Sequence, residues 1–196
     1  QGGGTACVGL TRRWRLIMQA LLACMTCVLM SWAHADMALT FLKAQKLEDA
    51  SVQLSYQTRL ELPKAVEDAV LKGVPIFFTA EVHLFRSRWY WRDKRLGHAS
   101  QTWRLAYQPL TRRYRLSAGS YSQSFEQLHE ALAQIAAVSR WKVGEGLSAE
   151  DEGKSYVEFN LRLDTSQLPV PFQIGIEGQN DWQMKIEKTV KVEDGR

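Results

Sequence analysis

Glu81 and His83 stand two residues apart in a stretch where polar and apolar residues alternate, so a strand would point both to one side, and Asp93, in the hairpin turn that follows, could approach across the hairpin. A carboxylate, an imidazole and a second carboxylate are the parts of an acid–base or metal site. The sequence lends this little more. It holds no His-Glu-x-x-His spacing, no nucleophile elbow and no paired histidines, and His98 and His129 stand apart from the group. Between Gly119 and Gly144 there is no phosphate-binding loop. The plain reading of these histidines is polar residues at or near the surface. A hydrolase or metal-dependent enzyme using His83 and Glu81 is the alternative, and no cofactor is expected.

The second chemical feature is basic. Arg86, Arg88, Arg92, Arg104, Arg113 and Arg115 fall within a region, Thr79 to Leu116, that carries nine basic and two acidic residues. The rest of the chain, from Ser117 on, carries eight basic and thirteen acidic residues, so the charge is segregated while the total stays close to balance. Balance excludes a global pull on nucleic acid; segregation allows a local anion-facing surface. On alternation alone, Arg86, Arg88, Tyr90 and Arg92 share one face of a strand, and Phe85, Trp89 and Trp91 share the other. Arg104, Arg113 and Arg115 oppose aromatic and apolar neighbours in the two strands that follow. Phe78, Val82 and Leu84 fall on the arginine side, so a bulge near Phe85 is expected. Guanidinium forks grip phosphate or carboxylate with two hydrogen bonds. The expected partner is an envelope protein with an acidic surface or an anionic lipid surface.

Compartment follows from the amino end. Arg12, Arg13 and Arg15 precede an apolar stretch from Leu16 to Trp32, and Ala33-His34-Ala35 follows. This is the order of a secretory signal. Residues 1–35 are therefore expected to be a signal peptide, giving a periplasmic protein after cleavage near Ala35. Retention of residues 16–33 as an inner-membrane anchor is one alternative, since a span takes about 20 residues. Leu21-Leu22-Ala23-Cys24 resembles a lipoprotein box, but apolar residues continue past Cys24. The first ten residues are left out of this reading. All three cysteines, Cys7, Cys24 and Cys27, fall before residue 36, so residues 36–196 have no thiol or disulfide chemistry.

Residues 36–196 are long enough for one domain with its own core. Val52, Leu54, Tyr56 and Leu60 alternate with polar neighbours, as do Val157, Phe159, Leu161 and Leu163; so do Phe172, Ile174 and Ile176, then Trp182, Met184, Ile186, Val190 and Val192. Each run predicts a strand. Pro75 to Arg92 predicts the longest strand, with a hairpin loop at Asp93 to Gly97 and return strands near Gln101–Tyr107 and Arg112–Leu116. Leu168 to Phe172 predicts a proline-bearing lead into an edge strand. Helices are expected over Pro63–Lys72 and, after a Ser124-x-x-Gln127 capping box, over Ser124–Arg140. The predicted fold is α+β, mainly antiparallel, with about eight strands and two helices. A β-sandwich with appended helices is the rival.

The segments Gly73-Val74-Pro75, Arg88-Trp89-Tyr90-Trp91, Tyr107-Gln108-Pro109-Leu110-Thr111-Arg112 and Asp164 to Gln173, with Asp181-Trp182 after them, span most of this domain in order. On them the chain resembles a family of uncharacterised exported proteins of Gram-negative bacteria, a domain of unknown function. The resemblance implies export and genes placed beside a sensor kinase and response regulator of the nitrogen-regulation type. It implies no activity and no catalytic residues. The function expected is thus a non-enzymatic accessory or binding domain in the cell envelope, linked to two-component sensing.

Overall fold

A computed structural model describes residues 37–194 except 91, 146, 148–152 and 177. The expected signal segment lies outside the described residues. Among the described residues no helix is long and apolar enough to cross a membrane.

Alternation builds nine strands: β1 (Met37–Lys46), β2 (Val52–Leu60), β3 (Ile76–Arg86), β4 (Lys94–Gln108), β5 (Arg113–Ala118), β6 (Tyr121–Phe125), β7 (Ala137–Gly144), β8 (Ser155–Leu163) and β9 (Lys185–Asp194). Among the described residues three helices join them: α1 (Lys64–Leu71), α2 (Leu128–Ala136) and α3 (Val170–Ile176). All nine strands form one sheet in the order β6-β5-β4-β3-β8-β9-β1-β2-β7. This excludes the two-sheet sandwich. The antiparallel expectation is corrected at one place, where Ala44, Gln45 and Lys46 of β1 pair in parallel with Val192, Glu193 and Asp194 of β9.

The sheet curls around one core. Tyr56 on β2 and Phe159 on β8 are three strands apart in the order, yet their rings meet at 4.6 Å. In β8 every odd residue from Ser155 to Leu163 is buried, the signature of a strand with one wet face. α2 closes the hollow with Ala131, Leu132 and Ile135, and the Tyr56 hydroxyl donates to the Ile135 carbonyl at 3.0 Å. Burial pushes the Tyr56 phenol well above its ordinary pKa, so it stays a donor. The curl brings β7 back against β4, where Gly97 and Gly144 let the two backbones touch. α1 buries Val66 and Val70. It ends as expected at Gly73, whose φ of +87° lets Gly73 N–H reach the Val70 carbonyl and Val74 N–H the Ala69 carbonyl.

Several predicted boundaries are corrected. The helix predicted over Ser124–Arg140 is shorter, because Ser124 pairs with Arg115 in the sheet and the capping box is made by Gln127 and Glu130. Residues after Ala136 leave the helix to pair with β2, with Arg140 at a φ of +55° where the register slips. The strand predicted at Phe172–Ile176 is the helix α3; Pro171 sits in its first turn, where no amide donor is needed. Trp182 belongs to a 3-10 turn, Asn180–Trp182, and Met184 precedes β9. The strand predicted as the longest stops at Arg86 instead of Arg92 and is exceeded by β4, which has 15 residues against its 11 and starts at Lys94, so the hairpin connection is residues 87–93.

A basic and aromatic cleft at the end of the sheet

The bulge expected near Phe85 exists, with Leu84 opposite Gly97 and Phe85 opposite Arg95. The extra residue is therefore Leu96, on β4. The pairing of β3 with β8 runs unbroken from Phe78 to Arg86, so Arg86 stays on the face of Leu84 and does not cross to the other side. This corrects the single arginine face. Arg104, Arg113 and Arg115 do share the outer face of β4 and β5, since Arg104 lies opposite Ser117, Ala106 opposite Arg115 and Gln108 opposite Arg113. Arg113 is paired with Glu126 at 2.8 Å, and Arg115 donates to the Ser122 hydroxyl. Arg86 lies opposite Lys94, ten residues up β4 from Arg104, which is on the order of 30 Å. Arg88 and Arg92 are outside any strand. The six predicted arginines thus divide between the two ends of the sheet.

At the Arg86 end the chain builds a cleft of about 890 Å³. Arg86, Arg88, Lys154 and Lys191 line it with Trp89 and Tyr156, and no acid is among its described lining residues. Such a volume suits a small ligand or headgroup. The loop that forms one wall is fixed at both ends. Ser87 N–H donates to the Lys154 carbonyl at 2.8 Å, and Asp93 accepts from Arg88 N–H at 3.1 Å and from the Tyr156 hydroxyl at 2.7 Å. Tyr156 stacks on Phe85. The hydrogen bond to Asp93 and then burial push the Tyr156 phenol up to about 12, while that bond and the Arg88 amide hold Asp93 below the usual carboxylate range. Trp89, expected on a strand face shared with Phe85, is instead in the connection after β3 and 94% exposed.

Lys154, Lys191 and Tyr156 were not legible in the sequence as site residues. Lys191 comes to the cleft because it pairs with Tyr156 across β8 and β9, a long-range register that local pattern does not carry. Among the described residues the side chains of Arg88, Lys154 and Lys191 have no acidic partner.

The Glu81 and His83 alternative lies elsewhere, on the outer face. Glu81 is held by Arg162 at 2.9 Å, and the hydrogen bond and charge of that guanidinium keep its carboxyl below the ordinary range. His83 stacks on His98 with ring centres 4.6 Å apart. Asp93 does not approach them, being engaged with Arg88 and Tyr156. Among the described residues no three His, Cys, Asp or Glu side chains gather to hold a metal ion. The pair with Arg162 does have a stability consequence. Because the folded pKa of Glu81 lies below its ordinary 4.5, the unfolded chain takes up the proton first as pH falls. Its stabilisation is present above about 4.5 and is lost as pH drops through the folded value. Glu81→Gln is expected to cost about 1 kcal/mol at pH 7, a gap that closes in urea titrations run below pH 4.5.

Fold and cleft together define a one-sheet β-domain with a cation-lined, aromatic-walled cleft at one end. The chain belongs to the family described as Domain of unknown function (DUF4390), whose model matches residues 35–192. No curated protein and no solved structure shows a match to it.

Proposed function

We propose that the protein is a non-enzymatic binding domain, exported to the periplasm of a Gram-negative bacterium, that engages an anionic partner through the cleft. The observation that carries this reading is three cations around one cleft, Arg88, Lys154 and Lys191, whose side chains have no acidic partner among the described residues. Like charges held together repel, and an anion relieves that cost. The loop is held by Asp93 and Lys154 before any ligand arrives, so little ordering is lost on binding. Export is supported by the Arg-rich start and the apolar run that follows it. Amino-terminal sequencing of protein recovered from the envelope should read from near Asp36. The role in envelope sensing rests on the family resemblance.

The cleft is tested by comparing two folded triple variants on a fluorescent polyphosphate. Arg88→Glu/Lys154→Glu/Lys191→Glu should lower affinity more than ~100-fold, as each basic residue at an anionic surface contributes about 1 kcal/mol. Arg104→Glu/Arg113→Glu/Arg115→Glu should change it less than about threefold, because two of those arginines are already paired. The reverse ranking would move the site to the other end of the sheet. A retained Leu16–Ala33 segment in the envelope protein would replace cleavage with anchoring.

A further inference from the structure

We infer that Trp89 and Tyr90 are an interfacial anchor that seats the cleft on an anionic bilayer, where its cations take lipid headgroup phosphates. This rests on the anion-binding reading and adds the ligand class to it. Trp89 and Tyr90 are 94% and 69% exposed, and their rings meet edge to face at 5.0 Å. Two adjacent aromatics left in water at a loop tip cost free energy that burial in another phase recovers. Their chemistry suits the membrane boundary, because each ring is apolar but carries one donor that can stay with headgroups and water.

The cations sit where headgroups would be. Arg86, Arg88, Lys154 and Lys191 line the same cleft as the two rings, which gives the pairing of an apolar insertion with a basic collar that peripheral membrane attachment uses. A bilayer also asks for no matched shape. A stable protein partner would need a complementary patch on the order of 800 Å², whereas the feature here is one loop tip and a cleft. That loop is braced by the Ser87–Lys154 and Asp93–Tyr156 hydrogen bonds, so the rings are held out and do not fold back onto the sheet.

The test uses residues 36–196, which contain every strand, helix and core residue described above, with circular dichroism confirming that each variant is folded. Co-sedimentation is measured with phosphatidylglycerol–phosphatidylcholine vesicles and with phosphatidylcholine alone. Glycerol phosphate and polyglutamate serve as soluble probes. The expected result is binding to the anionic vesicles only, salt-sensitive, and weakened at least about tenfold by Trp89→Ala/Tyr90→Ala. Its affinity for glycerol phosphate should fall clearly less than its vesicle binding, because both rings line the cleft but the phosphate is held by the cations. Equal vesicle binding by wild type and variant would remove the anchor. Glycerol phosphate binding without vesicle binding would overturn the membrane inference and leave the anion-binding cleft standing. Binding of polyglutamate through the same residues, without vesicles, would overturn it in favour of an acidic protein surface. No binding of any probe would defeat both readings.

Discussion

Phe159→Ala is expected to destabilise the domain by about 3–5 kcal/mol. Phe159 is 1% exposed and stands on β8 near the middle of the strand order. Its ring meets that of Tyr56 from across the curl, so truncation opens a void where two distant parts of the sheet close on each other. Collapse into that void is hindered because Tyr56 is tied to α2 through the Ile135 carbonyl. For a domain of this size the loss corresponds to a fall in Tm of roughly 6–20 °C. Thermal unfolding followed by circular dichroism measures it. A fall of less than about 3 °C would mean that β2 and β8 do not share a core.

The second large effect is expected at Gly97. A methyl group there would lie 2.7 Å from the Val143 carbonyl oxygen and 3.1 Å from the Gly144 Cα. Both are backbone atoms, and neither can turn aside, so β7 must lift from β4. Gly97→Ala should cost about 1–3 kcal/mol, the usual range for forcing atoms into a packed site. Gly144→Ala is the control. Its added methyl would meet the end of the Leu84 side chain at 3.2 Å, which can shift, so the cost should be clearly smaller. Urea midpoints of the two variants rank them. Equal, near-zero costs would mean that the curl does not bring β7 onto β4.

The strands with one buried face were readable because their residues alternate without interruption. Val52, Leu54, Tyr56 and Leu60 on β2 and the odd residues of β8 are buried as that pattern predicts. Short segments misled for a physical reason. In Val170 to Ile176 the apolar residues recur at every second position, but seven residues span too little to separate a period of 2 from one of 3.6, and the prolines suit a helix start. Phe125 and Leu128 lie on one helical stripe, yet Phe125 is buried from the end of β6. Hydrogen bonding across β5 decides that, and a local pattern does not contain it.

The candidate site was legible in part. Charge picks out Arg86 and Arg88, but alternation puts them on one strand face with Arg104, Arg113 and Arg115, which lie at the other end of the sheet. Alternation continues from Phe85 to Arg92 in the sequence, so nothing local marks the end of β3 at Arg86. What ends it is tertiary: Asp93 takes the Arg88 amide and the Tyr156 hydroxyl, and Ser87 binds the Lys154 carbonyl. The same contacts turn Trp89 outward. Lys154 follows the acidic run Glu150 to Glu152 in the sequence, and Lys191 stands on β9, where three lysines are balanced by three acids; only the pairing of β8 with β9 carries Lys191 to the cleft.

The most direct test of the cleft as an anion site is a backbone amide NMR titration of residues 36–196 with glycerol phosphate. The account predicts saturable shifts confined to residues 86–90, 153–156 and 189–191, suppressed in Arg88→Glu/Lys154→Glu/Lys191→Glu. Shifts centred on residues 104–117, or on Glu81 and His83, would contradict it.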